Sequence, residues 1–355
     1  MKTAYYLVDG QKTYKTFDAW QMIYKGAKEW RFYLNEEAYN NEDWSIEPKE
    51  SLDFLSACHA ANLRAKYKKL RLWYSAGRDS HYILKTFVKN NIPLDEIAFV
   101  DWAHHELVRQ DSIVVTQAIN AVYSKYNQPL PTITFFKPDA AEFATYWKFV
   151  ASGNHSGGIG SNYGFNLNSF SVILDLFFNQ PEVGNIFGIE KPRLAIKNNQ
   201  VLFQMVDSSL QHVLSPHHNI EWFFLSPEAV QLTKKQLHML IRTCQIFSKL
   251  NGISLSEAVT QLQYNKQHYD LYCNSIGLGP MVSAQTGSGL QKSFGLLENQ
   301  YQSIHRVSNR EVWAAGHYFK SFIAQATDLV TANTIDAAQH KQKLPGIVTN
   351  SYIIK

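Results

Sequence analysis

Leu70-Arg71-Leu72-Trp73-Tyr74-Ser75-Ala76-Gly77-Arg78-Asp79-Ser80-His81-Tyr82-Ile83-Leu84-Lys85-Thr86-Phe87-Val88-Lys89-Asn90 is the stretch that decides the fold. Leu70, Leu72, Trp73 and Tyr74 make a short apolar run with little charge, as a buried strand would. Small and polar residues, Ser75 to Ser80, interrupt it. Beyond them Tyr82, Ile83, Phe87 and Val88 recur at helical spacing. The segment therefore predicts strand, loop, helix. At such a junction the free backbone N–H groups and the positive end of the helix dipole point at one spot, which suits a phosphate. The Ser75 and Ser80 hydroxyls can add hydrogen bonds, and Asp79 can help hold a magnesium ion. A solvated strand-to-helix turn would use the same residue types.

Working outward, residues 49–68 predict a helix with Leu52, Leu55, Cys58 and Leu63 near one face and His59 beside it. Arg64, Lys66, Lys68 and Lys69 crowd its end, where cations are favoured. Asn90-Asn91-Ile92-Pro93 closes the central helix, and Glu96 to Trp102 reads as the next buried strand. A β–α–β unit this short predicts a parallel sheet with a right-handed crossover. Ligands of such sheets sit at the carboxyl ends of strands, so Val100, Asp101 and Trp102 are candidates to contact a bound base. Trp102 could equally be core. His104, His105 and Glu106 invite a metal reading, but neighbours in sequence do not easily share one ion.

Further along, 110–126 and 140–150 read as helices and 131–136 as a strand. Residues 152–164 hold five glycines and read as a loop, either a cover over substrate or a linker. After a helix at 168–179, Val183 to Arg193 reads as a strand ending in Gly-x-Glu-Lys-Pro-Arg. It would deliver Glu190, Lys191 and Arg193 to the edge that carries the first loop. Cations there suit phosphate, and Glu190 suits a proton acceptor. Leu194 to Phe203 predicts a hairpin turning at Asn198-Asn199. Ser226-Pro227-Glu228 predicts a helix start with cap and N1 proline, running to about Leu250. His217-His218 lies in a loop that could reach substrate. Residues 253–355 read as mainly helical, clearest at 255–272 and 310–330, with Tyr352-Ile353-Ile354 packing back on the core.

At the other end, Tyr5 to Phe17 predicts a hairpin with an Asp9-Gly10 turn, and Asp18 a helix cap. The reading divides the chain into a small lid or edge segment at 1–48, an α/β domain at 49–240 and a helical part at 241–355. With 355 residues and 45% hydrophobic content there is enough material for one large core or two smaller ones. A net charge of +4 fits an anionic ligand and makes no case for nucleic acid by itself. Cys58, Cys244 and Cys273 lie far apart, which argues against a zinc site or disulfide framework and fits a reducing cytoplasm. No apolar run approaches the ~20 residues of a membrane span.

Ser75-Ala76-Gly77-Arg78-Asp79-Ser80 resembles the pyrophosphate loop, Ser-Gly-Gly-x-Asp-Ser, of the PP-loop ATP pyrophosphatases. These include the synthetase domain of asparagine synthetase and PP-loop proteins carried by bacteriophages. Ser75, Gly77, Asp79 and Ser80 match; Ala76 stands where the first Gly is usual. The resemblance implies a HUP-like (PP-loop) α/β fold with a helical C-terminal part. It implies ATP and Mg2+ held by Ser75 to Ser80, with the base and ribose near Val100, Asp101 and Trp102. The implied chemistry is an adenylate of an acyl or carbonyl substrate, released pyrophosphate, and transfer to ammonia or an amine. Asp79, Glu190, Lys191 and Arg193 would be its catalytic residues. Lys2 stands where the glutaminase cysteine of asparagine synthetase would be, so the nitrogen source would be free ammonia or an amine. The zinc-binding cysteines of the deazaguanine synthases, and the C-terminal cysteine of the phosphoadenylylsulfate reductases, have no counterpart here. Two other readings stand beside this one: a nucleotide-binding module without turnover, and a nucleic-acid-modifying enzyme using the basic stretch Arg64 to Arg71.

Overall fold

The computed structural model describes residues 5–13, 19, 22, 26–100, 106–136, 180–188, 191–204, 219–279 and 352–354. Its centre is a sheet of five parallel strands: β4 (Lys69–Trp73), β5 (Glu96–Val100), β6 (Thr132–Phe136), β7 (Val183–Phe187) and β10 (Ile220–Trp222). Their order is β10-β7-β4-β5-β6. The chain moves outward from β4 to β6, then returns to the other side of β4. The order reverses between β4 and β7, and in open α/β sheets the ligand crevice lies at that point, beyond the carboxyl ends. The arrangement is consistent with a Rossmann-like or HUP-like α/β fold.

Local chemistry accounts for most of these elements. Strand β4 is buried at Leu70, Leu72 and Trp73 because helices or side chains cover both faces of a parallel sheet. On one face Trp73 stacks on Phe187 with centroids 5.7 Å apart and planes within 8°. Trp222 and Phe136 extend this row along the carboxyl edge. The one buried charge of β4, Arg71, reaches Glu96 at 2.8 Å, so it is paired. Helix α2 (Leu52–Lys66) starts at Ser51, whose side chain accepts from the Phe54 amide. Helix α3 (Arg78–Lys89) buries Ile83, Leu84, Phe87 and Val88, and α4 spans Glu106–Lys125. Within α2 the apolar face differs from expectation: His59 is buried, 4.9 Å from the Phe223 ring, and Cys58 is exposed.

A second sheet joins β8 (Arg193–Lys197), β9 (Gln200–Gln204) and β11 (Tyr352–Ile353). Asn198 and Asn199 make its turn with φ of 51° and 60°, the left-handed pair that a tight hairpin needs. Tyr352 pairs with Phe203, so the C-terminal residues do pack back on the body. At the other end β1 (Tyr5–Val8) and β2 (Gln11–Thr13) form the expected hairpin, turning at Asp9 and Gly10 with φ of 45° and 78°. A third strand that the sequence reading missed, β3 (Trp30–Tyr33), pairs with β1. The short helix α1 (Glu36–Asn40) follows. Its neighbourhood is tied to the main body: Asn35 Nδ2 and the Tyr39 hydroxyl both donate to Leu225 O, at 2.6 and 3.1 Å.

Two helix readings need correction. Helix α5 runs Val230–Asn251, with Ala229 at its N-cap and no side-chain cap. Ser226-Pro227-Glu228 closes a turn instead: Ser226 Oγ accepts from the Glu228 amide at 3.3 Å, and Ser226 O from the Ala229 amide at 3.0 Å. The expected helix 255–272 is broken into α6 (Leu255–Tyr264), a single 3-10 turn (Lys266–His268) and α7 (Tyr269–Ser275). Asn265 supplies the break. Its side chain accepts from the Gln267 amide at 3.0 Å, which offers the backbone an alternative to the helix. The readings at 18–28, 140–150, 152–164, 168–179, 217–218 and 310–330 lie wholly or mostly outside the described residues, and the described residues 26–28 are not helical. Among the described residues no helix is long and apolar enough to cross a membrane.

Candidate functional site

Strand β4 continues one residue past Trp73, where the Tyr74 amide donates to Ala98 O at 2.8 Å. The chain then leaves the sheet, and three contacts shape the loop. The Ser75 amide donates to Ser80 Oγ at 3.2 Å, Ser80 Oγ donates to Gly77 O at 3.2 Å, and the two serine hydroxyls lie 3.3 Å apart. Ser80 thus laces the loop to the helix, and its hydroxyl is already engaged. Ala76 takes φ of 54°, the left-handed region that favours glycine. The alanine does not prevent the bend; it adopts it.

Helix α3 then begins without a side-chain cap, because its N-cap is Gly77. The first-turn amides of Arg78, Asp79 and Ser80 have no intrahelical acceptor. Gly188, at the end of β7, presses against this turn. A methyl group on Gly188 would lie 2.9 Å from the Asp79 carbonyl carbon and 3.0 Å from the Ser80 amide nitrogen. Only a residue without a side chain lets the end of β7 approach the turn so closely. The two strands that flank the reversal point, β4 and β7, therefore meet here.

Lys191 follows three residues later. Its ammonium is 2.7 Å from Asp79 Oδ2 and donates to the Tyr269 hydroxyl at 3.0 Å, with the side chain only 12% exposed. Burial by itself would lower the ammonium's pKa; the adjacent Asp79 carboxylate, with Tyr269, Tyr272 and Cys273 adding to it, holds that pKa well above the usual lysine value. The other Asp79 oxygen, Oδ1, is buried and has no hydrogen-bond partner among the described residues. Burial pushes the nearby Cys273 thiol up, with Lys191 opposing, so it stays a thiol at neutral pH.

The two stretches singled out in the sequence are thus brought together in part. Lys191 and Asp79 touch. Arg193 does not join them at the parallel edge; it opens β8 and pairs in register with Gln204. The Arg78 side chain turns away from the loop to Asp270 Oδ1, 2.5 Å away, and Gly279 O, 3.3 Å away. Val100 ends β5, but its side chain lies outside the described residues, as do Asp101, Trp102 and Glu190. Tyr269 and Asp270 carried no local signal, because they sit 78 residues from Lys191 and 192 residues from Arg78, the groups they hold. Gly188 did carry one: it is the glycine of Gly-x-Glu-Lys.

The basic stretch Arg64 to Arg71 is largely consumed within the protein. Arg64 pairs with Asp95, Lys66 with Glu228 and Glu221, Lys68 with Glu182 and Arg71 with Glu96. Among the described residues no group of three or more His, Cys, Asp or Glu side chains is placed to hold a metal ion. No family model matches the chain, and no curated protein matches it.

Proposed function

We propose that the chain is an ATP pyrophosphatase of the PP-loop type, which forms a substrate adenylate and passes the activated group to ammonia or an amine. One observation carries the reading. At the reversal point of the sheet, the α3 first turn has uncapped amides, Gly188 packs directly against it, and Lys191 reaches Asp79 within it.

The residues suit a nucleotide's phosphate tail. Amides and a buried ammonium are the donors that an anion needs. Asp79 can contribute one carboxylate to Mg2+, which commonly takes one or two carboxylates together with phosphate oxygens. When bound, the ion neutralises charge on the leaving phosphates. A substrate carboxyl or carbonyl oxygen attacks the α-phosphorus. The bond to the oxygen bridging α and β breaks, and pyrophosphate departs with the electron pair. The amides of Arg78 to Ser80 and the Lys191 ammonium meet the charge that develops there. A nitrogen nucleophile then attacks the activated carbon and AMP leaves; Glu190, beside Lys191 in sequence, is the candidate to take the nitrogen's proton.

The Lys191–Asp79 contact also favours a second reading, a nucleotide-binding module without turnover, because each group neutralises the other at rest. Titrating the protein with ATP and magnesium, and assaying pyrophosphate release with candidate amines, separates the two. Binding with release supports the enzyme, and binding without release supports the module. Asp79→Ala and Gly188→Ala are expected to weaken ATP binding at least about ten-fold, the first by removing a carboxylate and the second by forcing the end of β7 and the α3 first turn apart. If folded Asp79→Ala and Ser80→Ala proteins hold ATP as tightly as the parent, both readings are lost.

A further inference from the structure

We infer that the first turn of α7 is a clamp on the phosphate-binding loop, and that Tyr269 is the positioning residue that presents Lys191 to a bound phosphate. The inference rests on the reading that Ser75 to Ser80 binds phosphate. It concerns a part of the chain that nothing in the loop motif points to.

Two neighbouring residues of α7 grip two separate groups of the site. Tyr269 takes Lys191 through its hydroxyl at 3.0 Å, and Asp270 takes the Arg78 guanidinium at 2.5 Å. Arg78 is the first residue of α3, so its anchor fixes the turn that carries the uncapped amides. A second bond from Arg78 to Gly279 O holds the same guanidinium from the far side of α7. The Arg78 side chain is therefore a tether between the loop and the C-terminal helices. It is not a phosphate ligand, and only its backbone amide faces the phosphate.

Counting donors defines the part played by Tyr269. An ammonium carries three N–H bonds. Lys191 spends one on Asp79 and one on Tyr269, and among the described residues the third has no acceptor. The Tyr269 oxygen accepts from Lys191 at 3.0 Å. A lysine is a point charge on a flexible four-carbon stem. Without the tyrosine, nothing among the described residues would keep Lys191 from folding wholly onto Asp79. With it, the ammonium is held between the carboxylate and an arriving anion, one donor unspent.

The test uses the full chain, with inorganic pyrophosphate and ATP in magnesium as probes and calorimetry as the readout. Tyr269→Phe removes one oxygen from a residue that is 41% exposed, so the fold should tolerate it. Expected are a loss of about ten-fold in pyrophosphate affinity for Tyr269→Phe, a similar loss for Lys191→Met, and a double variant no weaker than either alone. Tyr269→His, which keeps an acceptor for the ammonium, should recover most of the loss. If Tyr269→Phe does unfold, Asp270→Asn reads the other arm, at a carboxylate that is 74% exposed, and should weaken binding several-fold. Unchanged affinity in Tyr269→Phe, or in Asp270→Asn where that stands in, overturns the clamp and leaves the loop reading standing. Additive losses in the double variant overturn the positioning role. Failure of the parent protein to bind either probe removes the loop reading, and the clamp with it.

Discussion

Ala76 holds a conformation that L side chains rarely adopt, with φ of 54°, and the residue is 1% exposed. A left-handed non-glycine residue costs about 1–2 kcal/mol. Replacing it with glycine relieves that strain but forfeits a buried methyl worth about 0.8 kcal/mol. Glycine also adds chain entropy to the unfolded state, worth roughly 0.5–1 kcal/mol. The terms nearly cancel. Ala76→Gly is therefore expected to change stability by less than about 1 kcal/mol, and Ala76→Val, β-branched at positive φ, to cost more than about 2 kcal/mol. Urea unfolding of the three proteins measures both. A large gain from Ala76→Gly would mean that the methyl contributes nothing to packing.

Helix α3 carries polar groups on its buried side as well as apolar ones. His81 is 7% exposed, and its Nδ1 lies 2.9 Å from the Tyr74 hydroxyl, the residue that leads into the loop. Burial, aided by Lys85, lowers the imidazole to about 4. The folded protein thus keeps His81 neutral, while the unfolded chain protonates it near the ordinary value of about 6.5. Between those values the unfolded state binds more protons, so stability rises with pH across the window. It is complete above about 6.5, falls as pH drops toward 4, and is flat below. A shift of this size corresponds to about 3 kcal/mol at most. His81→Gln should flatten the stability profile between pH 4 and 6.5 when chemical denaturation is repeated across that range; an unaltered slope would show that other groups set it. The helix start of α5 teaches a different lesson at this scale. Ser, Pro and Glu in the right order signal a helix only when the backbone continues into one, and here the same residues close a turn three residues early.

Across the whole molecule, residues far apart in the chain meet. Tyr352 on β11 packs among Tyr39, Trp44 and Phe203, with ring centroids 5.8, 5.4 and 5.7 Å away. It is 8% exposed. Emptying that position by Tyr352→Ala is expected to cost about 3–4 kcal/mol, as other aromatic core truncations do. A thermal melt reads the loss, and an unshifted midpoint would mean that β11 does not secure the body. Local signals were enough for the strand, loop and helix at 70–90: an apolar run, small residues and a change of period follow from adjacent residues alone. The same holds for the Asp9-Gly10 and Asn198-Asn199 turns, which depend on what those residues tolerate at positive φ. Strand order and the partners of Lys191 and Arg78 are another matter. Tyr269 lies 78 residues from Lys191, and Asp270 lies 192 from Arg78. No pattern within one helix or strand encodes such a pairing, since neither partner changes the other's local preference. The sequence by itself determined that a small-residue loop joins a buried strand to a helix. Only the tertiary structure decided that Gly188, Lys191 and Tyr269 converge on it, because that depends on which strand lies beside which once the core is packed.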